Sequence, residues 1–306
     1  MRALVIGGSG FLGSHVADAL QAEGHEVSVY DRRPSPWVGP GQRMICGDLL
    51  DADALDRAVA GCDVVYNFAA LADLNQALRR PLETVQVNVL GNVQVMEACR
   101  RHGVARFLYA STVYVYSREG GFYRCSKQAA EHYVEEFQRV YGLDYTILRY
   151  GSLYGPRADE SNGLFRVVKA ALQNGRVSYQ GSPDAMREYI HVEDAARASV
   201  VALGEEFRNR NVVLTGQQTM RVEDLLKMLA EILGYADDVL FIDGEYEGHY
   251  VRTPYAYQPR LGHTYTPPLH VDMGQGLLQL IDEVRSQLEG EQARLTIGSP
   301  LPGGLR

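Results

Sequence analysis

Four glycines fall within seven residues, Gly7-Gly8-Ser9-Gly10-Phe11-Leu12-Gly13, between an apolar stretch and an amphipathic one. No other feature constrains the fold of this chain as strongly. Residues 2–6 ahead of it form a short apolar run suited to a buried strand. Residues 11–23 behind it repeat apolar side chains at helical spacing until Gly24. Gly8, Gly10 and Gly13 fit G-x-G-x-x-G, and Gly7, Gly10 and Gly13 fit G-x-x-G-x-x-G. A strand that turns this sharply into a helix needs residues without Cβ, and so does a ligand that approaches the backbone closely. The free N–H groups and positive dipole end of the helix then meet phosphate. The pattern reads as a dinucleotide site built on Gly7, Gly10, Phe11, Leu12 and Gly13, against the alternative of a plain glycine turn.

Strand and helix patterns continue to alternate. Strands are expected at 26–30, 43–46, 63–68, 106–110 and 144–150, and helices at 52–60, 82–102 and 123–141. Such alternation makes right-handed βαβ units. The fold class expected is α/β, a Rossmann-like doubly wound parallel sheet, joined to a smaller C-terminal substrate-binding domain. Residues 1–160 form the dinucleotide-binding part, with later strands returning to it, and residues 161–288 are mainly substrate domain. The second half reads as helices at 164–172, 193–203, 222–233 and 274–288, a strand at 212–214, an irregular stretch at 244–268 and a loose tail at 289–306.

Charge and composition exclude several function classes. Thirty basic against thirty-eight acidic residues give a formal net charge of −8, which argues against a nucleic-acid partner. No apolar run approaches the ~20 residues of a membrane span. Residues 1–8 read as a buried strand and not as a signal peptide. The four cysteines, Cys46, Cys62, Cys99 and Cys125, make no C-x-x-C pair, so no metal site is expected. They read as reduced thiols of a cytoplasmic protein, with Cys125 a small buried residue.

Asp31 ends the second strand, where a carboxylate meets the adenosine ribose hydroxyls and repels a 2′-phosphate, so NAD is favoured over NADP. Arg32 and Arg33 follow it and read as solvated loop charges. After the third strand, Gly47-Asp48-Leu49 offers Asp48 either to the adenine amino group or as the N-cap of the next helix. Tyr123 and Lys127 stand at i, i+4 on one helical face. A phenol has a pKa near 10, too high for a base at neutral pH, and a neighbouring ammonium lowers it. Lys127 also suits the nicotinamide ribose hydroxyls. Ser111 or Thr112, at the end of the preceding strand, can position a substrate alcohol. Residues 248–255 contain Tyr250 and Arg252, read as polar ligand contacts or as part of a surface loop. His191 reads as a hydrogen-bonded structural residue.

With these motifs the chain resembles the extended short-chain dehydrogenase/reductase family of nucleotide-sugar epimerases and dehydratases. The resemblance runs over roughly residues 1–288. It rests on Gly7–Gly13, Asp31, Asp48, Asn67-Phe68-Ala69-Ala70, Asn88, Ser111-Thr112, Tyr123/Lys127, Leu148-Arg149-Tyr150, Tyr154-Gly155-Pro156-Arg157 and the run Arg187 to Asp194. It implies tightly held NAD and a catalytic set in which Thr112, counted back from Tyr116, joins Tyr123 and Lys127. It implies that Phe68 and Ala69 line the cofactor cleft, that Asn88 orders it and that Tyr150 approaches the nicotinamide. Arg187 matches an arginine that pairs with the nucleotide-sugar pyrophosphate. It also implies a homodimer through helices 82–102 and 123–141, with Val93, Met96, Phe137 and Val140 as candidate seam residues.

Three departures bear on the substrate. Only six residues separate Tyr116 from Tyr123, where the family usually carries a much longer segment. Ser152 stands where an asparagine commonly touches the sugar nucleotide, and residues 248–255 replace the usual substrate-domain stretch. Family dehydratases carry Asp-Glu after the catalytic threonine; here Val113 and Tyr114 stand there, so dehydration is demoted. The reading favoured is an NAD-dependent epimerase acting at C4 of a UDP-linked sugar through a transient 4-keto sugar. An NAD(P)H-dependent 4-keto-sugar reductase and a UDP-uronate decarboxylase are the alternatives, and a non-enzymatic NAD-binding scaffold is the reading of another class.

Overall fold

The computed structural model describes residues 1–217, 219–235, 239–242, 263–265 and 269–297. Its first half carries β1 (Arg2–Ile6), β2 (Glu26–Asp31), β3 (Arg43–Cys46), β4 (Val64–Asn67), β5 (Arg106–Thr112) and β6 (Tyr145–Tyr150). The second half adds β7 (Ser152–Tyr154), β8 (Ser178–Gln180), β9 (Met186–His191), β10 (Arg210–Leu214), β11 (Thr219–Arg221), β12 (Leu240–Ile242) and β13 (His263–Thr264). The helices are α1 (Phe11–Ala22), α2 (Ala52–Val59), α3 (Leu74–Arg79), α4 (Pro81–Val85), α5 (Asn92–His102), α6 (Gly121–Tyr141), α7 (Gly163–Asn174), α8 (Val192–Val201), α9 (Val222–Leu233) and α10 (Met273–Ile297).

The main sheet is parallel throughout, in the order β3-β2-β1-β4-β5-β6-β10-β13. The order reverses at β1, so the connections that leave the paired strands β1 and β4 run to opposite sides and open a crevice at the carboxyl ends. One face of the sheet buries α1 and α8 through residues such as Val16, Leu20 and Ala195. The other buries α2, α5 and α6 through Leu55, Met96, Val134 and Phe137. A separate core of Phe165, Val168, Leu226, Leu229, Leu280 and Val284 joins α7, α9 and α10 into a smaller lobe. The short strands of that lobe make two sheets of their own, β11-β9-β7 and β12-β8.

Several expectations change in detail. The helix expected over 82–102 is broken by a π turn, Gln86–Gly91, between α4 and α5. Such a turn inserts a residue and rotates the side chains around it. Helix α3 and the short strands of the smaller lobe are too brief for periodicity to mark. The last helix continues past Leu288 to Ile297, so residues 289–297, read as tail, are helical. Cys125 is exposed rather than buried, because the face of α6 that carries Tyr123 and Lys127 turns inward and the residue between them turns out. Of the seam residues, Met96 and Phe137 face the sheet and Val93 packs beside them, while Val140 is exposed. Among the described residues no helix is long and apolar enough to cross a membrane.

The glycine turn is packed without slack. A Cβ on Gly13 would lie 2.3 Å from the Gly7 carbonyl oxygen, and one on Gly7, whose φ is +78°, would lie 2.6 Å from the Ala69 nitrogen. Gly13→Ala should therefore destabilise the protein by about 1–3 kcal/mol, the range for overpacking a filled site. Denaturant unfolding measures this, and an unchanged midpoint would mean that the turn relaxes at no cost.

Candidate active site

The dinucleotide end of the site is built by the β1–α1 turn. Gly10 caps α1 without a side-chain hydrogen bond, and no acidic residue stands in the first turn. The positive end of the helix is thus left open to an anion. A Cβ on Gly10 would meet only the Gly7 oxygen, at 3.2 Å, and would otherwise project into open space beside the turn. At the end of β2, the Asp31 carboxylate accepts from the Ser9 amide at 3.1 Å and the Arg33 amide at 3.3 Å. It therefore holds the mouth of the glycine turn in place while staying partly exposed. Asp48 accepts from the Leu50 amide at 2.9 Å, and its own carbonyl accepts from the Tyr30 hydroxyl at 2.7 Å. The cap of α2 is Asp51, so the capping alternative for Asp48 is excluded. The Leu49 side chain is buried against Gly91 of the π turn, where a Cβ would lie 2.5 Å away.

Phe68 and Ala69 continue β4 past its last residue. The Phe68 amide donates to Ile6 and the Ala69 amide to the Asn67 side chain. The Phe68 ring faces Tyr150 with centroids 6.4 Å apart, and the Tyr150 hydroxyl is anchored to Ser199 at 2.6 Å. Asn88 projects inward from the π turn. Its amide oxygen accepts from the Leu71 amide at 2.7 Å, and its nitrogen donates to the Leu71 carbonyl at 3.1 Å and to Ser126 at 2.9 Å. One side chain thus ties the loop after β4 to the first turns of α6. These groups, with the open helix end, fit a dinucleotide along the carboxyl edge of the sheet.

The chemistry-bearing residues meet where β5, β6 and α6 come together. Thr112 and Tyr150 are cross-strand partners, as are Ser111 and Arg149. Alternation sends each pair to a different face of the sheet. Ser111 donates to Glu131 in the interior at 2.5 Å, and so is not available to substrate. Thr112 lines the cleft beside the Tyr123 phenol. Burial pushes that phenol up to about 12, and the Thr112 hydroxyl opposes the shift. The Lys127 ammonium donates to the Ala110 carbonyl at 2.6 Å and is itself buried. Burial pushes it down to about 7, against the pull of Glu131.

A cleft of about 550 Å³ opens over Thr112, Tyr123 and Tyr150 toward the smaller lobe, within the size of small-molecule sites. Ser152 and Arg187 line the same cleft. Arg187 is buried and donates to the Met186 carbonyl at 2.9 Å. Tyr250 and Arg252 lie outside the described residues. His191 lies outside the cleft: it packs on the Tyr154 ring, 5.3 Å between centroids, and lines a small separate cavity.

Two features escaped the sequence reading. Glu131 binds Arg149 through Nε at 3.0 Å and Nη2 at 2.6 Å, while Arg149 Nη1 donates to the Tyr116 hydroxyl at 2.5 Å. Its signal was available, since Tyr123, Lys127 and Glu131 follow one another at i, i+4. The other is an ion pair across the cleft, Arg166 to Asp73 at 3.6 Å, which joins residues too distant in sequence for any spacing rule.

Comparison with known proteins agrees with this geometry. The model of the NAD dependent epimerase/dehydratase family matches residues 3–214. The chain is 26% identical to the UDP-glucose 4-epimerase of Thermotoga maritima, solved with UDP-glucose, over 94% of this chain and 100% of that one, with a TM-score of 0.81. It is 27% identical to the UDP-glucose 4-epimerase of Thermus thermophilus, solved with NAD, over 93% and 99%, with a TM-score of 0.78. It is also 28% identical to a dTDP-glucose 4,6-dehydratase of Mycobacterium tuberculosis over 93% of each protein.

Asp31 offers a carboxylate where a ribose hydroxyl would donate. Calorimetric titration should show NAD binding more tightly than NADP, and Asp31→Ala should narrow that gap by about ten- to hundredfold, the worth of a charge-assisted hydrogen bond. A wild-type preference for NADP would transfer the role to Arg32 or Arg33.

Proposed function

The chain belongs to the NAD-dependent epimerase/dehydratase family, whose members act on nucleotide sugars, and within it we propose a C4 epimerase of a UDP-linked sugar. The observation that carries this reading is the juxtaposition of Thr112 and Tyr123 in one cleft, with Lys127 behind them and no carboxylate at positions 113 and 114. NAD, when bound, supplies an acceptor and donor of hydride at the sugar carbon. Gly7, Gly10, Phe11, Leu12 and Gly13 would hold its phosphates, and Asp31, Asp48 and Leu49 its adenosine. Phe68, Ala69, Asn88, Lys127 and Tyr150 would border the nicotinamide half.

Tyr123 takes the proton of the C4 hydroxyl as base and returns it at the end. Thr112 aligns that hydroxyl and the phenol. The Lys127 ammonium favours the phenolate, which burial alone disfavours. Ser152 and Arg187 contact the nucleotide sugar from the smaller lobe. The cleft leaves a keto sugar room to turn over before reduction on its other face. Dehydration needs a further acid/base pair, and a buried valine and a tyrosine follow Thr112 instead. Decarboxylation of a uronate has looser requirements and stands as the second reading, because it uses the same Thr112, Tyr123 and Lys127.

We also infer a homodimer and a cytoplasmic setting. Helices α4 and α5 lie beside α6, and on this side of the molecule Leu82, Val85, Leu90, Tyr133, Val140 and Tyr141 are exposed. Exposed apolar side chains on neighbouring helices suit a second copy packed about a twofold axis. The four cysteines are all unpaired, as a reducing compartment would keep them.

Incubation with a panel of nucleotide sugars, read by NMR, should give a new anomeric signal from UDP-glucose with no loss of carbon. Loss of carbon dioxide from UDP-glucuronate alone would select the second reading. Tyr123→Phe should lower turnover by about 10²–10⁴-fold, the usual worth of a general base, while NAD binding survives. Lys127→Ala should impair both. Light scattering at micromolar concentration should give twice the mass of the chain, and a monomer there sinks the dimer.

A further inference from the structure

The Lys127 ammonium is held by unusually few polar groups. It is 3% exposed and donates to one carbonyl, Ala110, at 2.6 Å. The nearest carboxylate, Glu131, is already bound to Ser111 and bidentate to Arg149. What lies against the ammonium instead is the ring of Tyr109, whose centroid is 4.7 Å away, with the Tyr123 ring at 5.8 Å.

Tyr109 is placed firmly. It sits in β5 between Asn67 and Ile147 of the neighbouring strands and stacks on Phe107 at 6.4 Å with 23° between planes. Its hydroxyl is buried with no hydrogen-bond partner among the described residues. A buried, unsatisfied hydroxyl is destabilising, so the hydroxyl contributes nothing to holding this residue in place. The part in use is the face of the ring, which attracts a desolvated cation.

We propose that Tyr109 is a positioning residue for catalysis, its ring face seating the Lys127 ammonium and keeping it charged beside Tyr123. This rests on the reading of Tyr123 and Lys127 given above. The groups that face Lys127 are Tyr123 and Glu131 from α6 and Tyr109 from β5, with Arg149 of β6 behind Glu131. Burial favours the neutral amine. The ring and Glu131 oppose it. Removing the ring therefore lowers the pH at which the ammonium is lost, and a neutral amine no longer draws down the Tyr123 phenol.

The chain holds only three lysines, Lys127, Lys169 and Lys227. The last two are ion-paired with Glu160 and Glu223, so lysine labelled with ¹³C at Cε should give a separable Lys127 signal in the full-length protein without substrate. Its titration midpoint should be unchanged in Tyr109→Phe. It should fall stepwise when position 109 carries phenylalanine with one, two and three ring fluorines, which weaken the ring face at nearly constant shape. Tyr109→Leu should lower it by about one pH unit, with about tenfold weaker turnover of UDP-glucose at neutral pH. The fluorinated series keeps the test decisive even if the leucine variant does not fold. A midpoint that stays constant through the fluorinated series overturns the proposal. If that happens while Tyr123→Phe is inactive, the seat alone falls; if Tyr123→Phe is fully active, the reading of the site falls with it.

Discussion

Everything at this site depends on how α6 is pinned to β5 and β6, and the pin is the buried Glu131–Arg149 ion pair. Both side chains are withdrawn from water, at 5% and 2% exposure. Two charges are expensive to bury, and the cost is offset here because the hydrogen bonds close on themselves: Ser111 and both forks of Arg149 on Glu131, and Tyr116 on the remaining arm of Arg149. Breaking such a pair strands a charge, at a cost of about 3–5 kcal/mol. The network joins two adjacent strands to one helix at one level. It thereby sets the height at which Thr112 leaves β5 and the rotation with which Tyr123 and Lys127 leave α6.

Above that pin the electrostatics are finely balanced. Burial pushes Tyr123 up to about 12 and Lys127 down to about 7, so each group resists its charged form when considered alone. A phenolate and an ammonium on one helical face would relieve one another. The Thr112 hydroxyl, the Ala110 carbonyl and the ring of Tyr109 are the neutral groups that tip this balance. A site of this kind changes its protonation with small changes in its surroundings, which is what a group that accepts and returns the same proton requires.

How much of this was legible beforehand follows from which physical signals are local. The glycine turn was legible because steric need leaves no other residue type, and the parallel sheet because strand and helix periods alternate over the first 150 residues. Tyr123 and Lys127 were legible from their spacing. Asn88 could be named but not placed, since its inward aim comes from a π turn that apolar periodicity does not reveal. The residues alone left Ser111 and Thr112 open and the resemblance chose Thr112; the register of β5 against β6 gives the reason, since it turns Ser111 to Glu131 and Thr112 to the cleft. Met96, Phe137 and Val140 all read as apolar on a helix, and only the rotation of each helix against the sheet separates core from surface. Glu131 reads as one more charge on an amphipathic helix until Arg149 is seen across from it.

The path of the chain between the two lobes has its own consequence. After β6 the backbone leaves for β7, α7 and β9, returns with α8 and β10 to the main sheet, leaves again for β11 and α9, and returns with β13. The lobes are therefore sewn together by several passes and not hung from one linker. β10 pairs with β6 along its whole length, so a fragment cut near residue 160 would leave the edge of β6 bare, open to any passing strand. The smaller lobe in turn has no continuous run of sequence that contains it. Its evolution must proceed by altering loops inside an existing weave, because neither lobe can be exchanged as a cassette.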